Sequence, residues 1–376
     1  MSELRINNIT DTAGSSGPII AGVSTVTSTS HMVMPSGPTE MRPNPPSKLP
    51  LSGKQEILSS GGRGRGIFFA NYPAPSSDAI EKIEIATTGN ATDFGDTSAP
   101  RNLGASFASS TRGILAGGQP GASPYYVSTI DFVIISSEGG ANDFGDLTKG
   151  RLDSLISDRG ACGGGNDRTR GLIAGGNTPG DGGARKTIDF VTMASTGDSS
   201  DFGELIQQRF DFNGSVGNGV RAIFAGGYSQ TTPAATFFKS IETVNVQTRG
   251  STTKFGELSA TRGRTTSTSN STRGLVGIGG GPAPNTRTDI IEFITLSTEG
   301  NVTDFGNLVS SVLSPNATSS STRGVVAGGN DGSPAQIDII QFVTISTTGN
   351  ATDFGDLSAA KQGLSGCSDV NGGLAQ

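Results

Sequence analysis

Two stretches near the end of the chain decide how the rest is read: Ser321-Thr322-Arg323-Gly324-Val325-Val326-Ala327-Gly328-Gly329 and Gly349-Asn350-Ala351-Thr352-Asp353-Phe354-Gly355-Asp356. The first recurs as Arg112 to Gly118, Arg170 to Gly176, Arg221 to Gly227 and Arg273 to Gly280, with a weaker copy from Arg65 to Ala70. The second recurs unchanged at Gly89 to Asp96, and its phenylalanine falls at Phe94, Phe144, Phe202, Phe255, Phe305 and Phe354. Between the two lies an apolar, alternating stretch around Ile-Asp-Phe-Val, as at Ile130 to Val133 and Ile188 to Val191. The spacing of about 50 residues is that of a repeat architecture and is too long for a coiled coil or a hexapeptide β-helix.

Each repeat holds four short strand candidates bounded by Gly, Asn, Ser or Pro, and helical periodicity is absent. Four antiparallel strands per repeat describe one blade of an all-β propeller, because a single such sheet cannot cover both of its faces while a ring of them can. The double glycine reads as a strand end where backbones approach closely. The repeated Phe is expected to fill the gap between adjacent sheets, a burial of about 1.5–3 kcal/mol per ring. The glycine after it reads as a bend leading toward the next blade, and the Gly-Asn pair as the source of a positive φ in a hairpin. Leu51 to Gln55 echoes Leu357 to Gln362, so the segment from Gly363 to Asp369 is expected to pair into the first blade and close six blades. A seventh blade completed by the N-terminus is the competing topology.

Residues 1–50 lack the repeat signatures and end in Pro35, Pro38, Pro43, Pro45, Pro46 and Pro50. They read as an extended arm preceding a propeller over 51–376. Its β-prone pieces, containing Ile6, Ile9, Ile19, Ile20 and Val23, are suited to adding a strand to a sheet edge of another chain.

Composition narrows the function. With 16% charged residues and a formal charge of −6, the chain lacks the basic surface of a nucleic-acid binder. No run of 18 apolar residues suggests membrane insertion. The first 20 residues do not resemble a signal peptide, although a protein released by lysis needs none. Cys162 and Cys367 read as small buried residues, the single histidine, His31, lies outside the repeats, and neither a metal nor another cofactor is expected.

The repeated Arg112, Arg170, Arg221, Arg273 and Arg323 could form an anion-binding ring. The plainer expectation is that each pairs with a repeated acid such as Asp146, Glu204 or Asp356. Asp-Phe-Gly matches a kinase metal-binding triplet, but five copies, a Lys254 variant and the lack of a phosphate loop exclude that reading. Variation concentrates in the loop after the double glycine, where Tyr72, Tyr125, Tyr126 and Tyr228 stand among prolines, the pattern of a rigid recognition surface on one face.

The order of Arg-containing strand, strand ending in Gly-Gly and apolar-acidic strand resembles the kelch repeat, with Phe of Asp-Phe-Gly in place of the kelch tryptophan. Ser321 to Gly329 and Thr348 to Leu357, with the opening Ile6 to Asp11 and Gly14 to Gly22, are similar to kelch-like virion proteins of tailed phages that infect marine bacteria. That resemblance implies a non-enzymatic structural, fibre or decoration protein of the virion, assembled in the host cytoplasm. Its arm would hold other virion proteins of capsid, neck or tail, and its loops would meet a host surface glycan or protein. The alternatives are a propeller enzyme of the sialidase or depolymerase type, which needs paired carboxylates, or a Tyr nucleophile with an acid, placed uniquely on the central face, and a cellular kelch-type adaptor.

Overall fold

The computed structural model describes residues 64–71, 77–120, 127–147, 164–178, 183–212, 214, 216–231, 234–283, 286–332 and 336–370. The arm residues Ile6, Ile9, Ile19, Ile20 and Val23 lie outside them, as do Tyr72, Tyr125, Tyr126 and Cys162. The described part is all-β, a six-bladed propeller. Blade 1 takes its inner strand, Ser365–Ser368, from the C-terminus, followed outward by Arg65–Asn71, Ser77–Glu84 and Thr92–Asp96. Cys367 pairs with Ile67 in that closure, so the expected six-bladed ring is the one formed. Blade 2 runs Ala105–Ala108, Arg112–Ala116, Thr129–Ile134, Asn142–Asp146, and blade 3 runs Gly164–Asn166, Arg170–Ala174, Gly183–Thr192, Ser200–Arg209.

Blades 5 and 6 repeat the pattern with Thr266–Ser269, Arg273–Ile278, Thr288–Thr295, Thr303–Val312 and with Asn316–Ser319, Arg323–Ala327, Ile337–Thr344, Thr352–Lys361. Blade 4 departs from it. Its sheet has three strands, Arg221–Ala225, Ser240–Asn245 and Thr253–Glu257, and the inner position is held by a single bridge between Gly217 and Ala222. Between its first two strands it inserts a hairpin, Tyr228–Thr231 with Ala234–Phe237.

The inner strands of blades 1, 2, 5 and 6 are rich in Ser and Ala because they converge on the axis and are buried throughout. Four of their buried serine hydroxyls donate across the junctions. Ser106 Oγ donates to Gly366 O (2.9 Å), Ser368 Oγ to Ser319 O (2.6 Å), Ser319 Oγ to Ser269 O (2.7 Å) and Ser269 Oγ to Gly217 O (3.2 Å). Cys367 fits the same environment: it is buried, and desolvation pushes its thiol far above the ordinary range, so it is inert packing.

The Asp-Phe-Gly segment has a role in every blade that its sequence only partly disclosed. Pairing of the third and outer strands slips by one residue there, as between Ile130↔Gly145 and Asp131↔Asp143, leaving Phe144 as the extra residue of a β-bulge. The ring turns into the inter-blade core, as for Phe94 beside Leu115, Val133 and Ile135 of blade 2. All six of these phenylalanines are at most 3% exposed, which agrees with the sequence reading. The bulge also frees the Phe carbonyl, and the next blade claims it. Gly139 N donates to Phe94 O (2.8 Å), Gly197 N to Phe144 O (2.7 Å), Gly250 N to Phe202 O (3.0 Å), Gly300 N to Phe255 O (3.0 Å), Gly349 N to Phe305 O (2.8 Å) and, closing the ring, Gly89 N to Phe354 O (2.8 Å).

This contact corrects the reading of the glycine after Phe as a bend toward the next blade. A Cβ on Gly355 (φ +149°) would lie 2.4 Å from Gly89 O, and one on Gly145 would lie 2.5 Å from the main chain of Gly197. The glycine is required because the neighbouring turn lands on it. Asn of the Gly-Asn pair is corrected likewise: Asn90 Oδ1 accepts from Asp356 N and Asn350 Oδ1 from Asn307 N, both at 3.0 Å, so its side chain fastens a junction.

Candidate recognition surfaces

Antiparallel pairing sorts the connections onto two faces. Loops between second and third strands share one face with the links from each blade to the next. The turns on either side of the second and third strands' other ends share the opposite face.

On the link face four of the six junctions hold a buried charge pair among the described residues. Glu81, Asp131, Asp189, Glu242, Glu292 and Gln341 occupy one register position on the third strand, opposite Phe68, Leu115, Ile173, Phe224, Val276 and Val326. Arg101 reaches Asp131 (2.7 Å), Arg262 reaches Glu292 (3.3 Å), Arg209 pairs with Glu242 and Lys361 with Glu81, each base arriving from the preceding blade. Desolvation lowers the pKa of Arg101, Arg209 and Arg262, and the facing carboxylate works against that shift. Arg209 also donates to Gly226 O (2.8 Å) and Arg262 to Gly277 O (2.8 Å), so the guanidinium ties the double-glycine corner to the link.

At the junction from blade 5 to blade 6 both members change together. Val312 stands where Lys361 and Arg209 stand in their blades, and Gln341 replaces the acid, accepting from Val309 N at 2.7 Å. A base without its acid would be a buried uncompensated charge, whereas loss of both is tolerable. These acids and bases went unassigned from sequence. The available signal was a base four residues past the residue that follows Asp-Phe-Gly-Asp or its variants, as Leu205 to Arg209, Leu258 to Arg262, Leu357 to Lys361 and Thr97 to Arg101.

The repeated arginines at the head of the second strands do not pair with Asp146, Glu204 or Asp356, which is a correction to the expectation. Asp146 ends its outer strand on the link face and Glu204 and Asp356 lie within theirs, past the bulge toward that face, while the arginines begin the second strands on the other. Arg112 Nη1 donates instead to Met193 O of the next blade (2.9 Å), Arg170 Nη1 to Val246 O (3.0 Å), Arg273 Nη1 to Ile345 O (2.8 Å) and Arg323 Nη1 to Ile85 O (3.1 Å). Each guanidinium also lies over a phenylalanine of its own blade: Arg112 over Phe132 (4.6 Å), Arg170 over Phe190 (5.0 Å), Arg273 over Phe293 (4.4 Å) and Arg323 over Phe342 (4.5 Å). Four of the five are therefore consumed by the scaffold. Arg221 makes neither contact, and its Nη1 is buried without a hydrogen-bond partner among the described residues.

Of the tyrosines expected on a recognition face, only Tyr228 is described, and it is 3% exposed. Its ring stacks on Phe237 at 4.8 Å and leans on Phe210 at 4.2 Å, so it is the core of the blade 4 hairpin and not a contact residue. What the hairpin does present is a shallow depression of about 330 Å³ beside blade 3, lined by Lys186, Ile206, Gln207, Gln208, Ser229 and Phe238 among others, with Ile206 46% exposed.

No protein-family model matches the chain, and no curated protein matches it in sequence. The asymmetric surfaces of blades 3 and 4 therefore have to be read from their own chemistry.

Proposed function

We propose that the chain is a non-enzymatic structural protein of a phage virion, attached by residues 1–50 and displaying a kelch-like propeller whose varied loop face meets a host surface or a neighbouring virion protein. The observation that carries this reading is the fate of the repeated carboxylates: Glu81, Asp131, Glu242 and Glu292 are each bound to a base from the preceding blade. A glycan-cleaving propeller needs two carboxyl groups, or a Tyr nucleophile with an acid, free to face a sugar. Inner strands that bury their hydroxyls against one another likewise suit a rigid display platform better than a substrate channel.

Deletion of residues 1–45 tests the attachment. The truncated chain is expected to fold with an unchanged melting temperature and to be missing from purified particles. Incorporation at the normal level would refute the role of the arm, and release of reducing ends from host polysaccharide by the intact protein would refute the non-enzymatic role.

A further inference from the structure

Blade 4 contains a cavity on the face opposite the varied loops. It measures about 400 Å³ and is lined by Val220, Arg221, Thr243, Val244, Asn245, Ser251, Thr253 and Glu299. Its origin is one register position. Facing the second residue after the repeated arginine, the third strand carries Phe132, Phe190, Phe293 and Phe342 in blades 2, 3, 5 and 6, Lys82 in blade 1 and Thr243 in blade 4. Thr243 leaves unfilled the volume that a phenyl ring or a lysine stem fills elsewhere.

The turn of the following blade varies in step. The residue preceding the junction glycine is Thr196, Arg249, Thr348 and Thr88 after the four Phe-bearing blades. It is a glutamate only after the two blades that lack Phe, Glu138 after blade 1 and Glu299 after blade 4. In blade 1 the arrangement is complete: Lys82 fills the position and its ammonium pairs with Glu138, Arg65 pairs with Glu84 (3.2 Å), and Arg65 Nη1 donates to Ile135 O (2.9 Å). In blade 4 the lysine and the second acid are missing. Thr243 stands for Lys82 and Asn245 for Glu84, and among the described residues the exposed Glu299 pairs with no base and the buried Arg221 Nη1 has no acceptor.

We propose that this cavity binds the lysine side chain of a partner polypeptide. The ammonium would pair with Glu299 and the aliphatic stem would lie over Thr243 between Val220 and Val244. A main-chain carbonyl of the same segment would accept from Arg221, a role that carbonyls of the following blade fill for the equivalent arginine in the other five blades. Blade 1 thus holds the lysine–glutamate half of this arrangement internally, in Lys82 and Glu138. The need for both a cation and a carbonyl favours a peptide over a free amine. The proposal does not rest on the virion reading, since a propeller of any origin would carry the same pocket.

The test uses the full chain with N-acetyl-lysine N-methylamide as probe and the norleucine analogue as control, followed by NMR titration. Binding of the lysine compound alone is expected, with a loss of at least about tenfold in Glu299→Gln, the scale of one charge-assisted contact. Thr243→Lys supplies the side chain from within and is expected to abolish probe binding while raising the melting temperature. Equal binding of norleucine, undiminished binding to Glu299→Gln, or probe binding that survives Thr243→Lys would each overturn the proposal. Glu299 is a surface turn residue, so the Gln variant keeps the test valid whatever Thr243→Lys does to folding.

Discussion

Blades 6 and 4 are built from the same three signatures, yet blade 6 meets the repeated demands apart from the acid that Gln341 replaces, and blade 4 omits several. Blade 6 has a full inner strand, an arginine that stacks on Phe342 and grips the next blade, and an edge-to-face contact of Phe342 with Phe354 at 5.9 Å. Blade 4 has a one-bridge inner edge, an idle arginine, Thr243 in place of the phenylalanine and an inserted hairpin. Both retain the bulged Phe, the landing glycine and the main-chain bond to the following turn. The features common to both are the joints that hold the ring. The ones blade 4 discards are additions that stabilise a blade locally, and their loss opens surface for other uses.

The strongest way to break this comparison is at a buried charge pair. Glu242→Ala leaves Arg209 without its acid in a dry junction and is expected to cost about 3–5 kcal/mol in denaturant unfolding. The double change Arg209→Val with Glu242→Gln copies the natural Val312 and Gln341 junction and is expected to recover most of that loss. A double variant as unstable as the single one would show that the pair stabilises the junction in a way the blade 5 to blade 6 solution cannot replace.

A somewhat smaller effect is expected at the landing glycines. Gly355→Ala forces a Cβ against Gly89 O and an unfavourable φ, for a loss of about 3 kcal/mol, whereas Gly349→Ala meets nothing within 4 Å and should change the melting temperature little. Comparable losses in the two variants would contradict the joint assigned to the first of these glycines.

The smallest effect sharpens the contrast between the arginines. Arg323→Met removes a ring contact and leaves Ile85 O short of a donor, for about 1–2 kcal/mol. Arg221→Met removes a guanidinium with no partner and is expected to be neutral or slightly stabilising. If both cost the same, the arginine serves through its aliphatic stem alone.

The sequence was informative wherever a demand is local and recurs. Strand number, blade count and closure by the C-terminal strand follow from periodicity and from the echo of Leu51 to Gln55 in Leu357 to Gln362. The burial of the six repeated phenylalanines follows from their regular place in an apolar pattern. A glycine or a bulged phenylalanine carries its backbone requirement in its own identity. The partner of a side chain is another matter, because residues of adjacent blades that touch are about 30 to 80 positions apart, and more than 200 across the closure.

Tyr228 looked exposed because its loop is polar and irregular, and only the hairpin that folds back on Phe210 and Phe237 buries it. Arg112 and its counterparts were matched to Asp146, Glu204 or Asp356 because composition names charges but not faces. Antiparallel pairing puts those acids on the far side, and the radial packing of blades brings a carbonyl to the guanidinium instead. Period and backbone chemistry thus belong to the sequence by itself. The pairing of charges, the idle Arg221 and the vacancy over Thr243 exist only once six sheets are brought edge to centre, since each is defined by what the neighbouring blade does or does not supply.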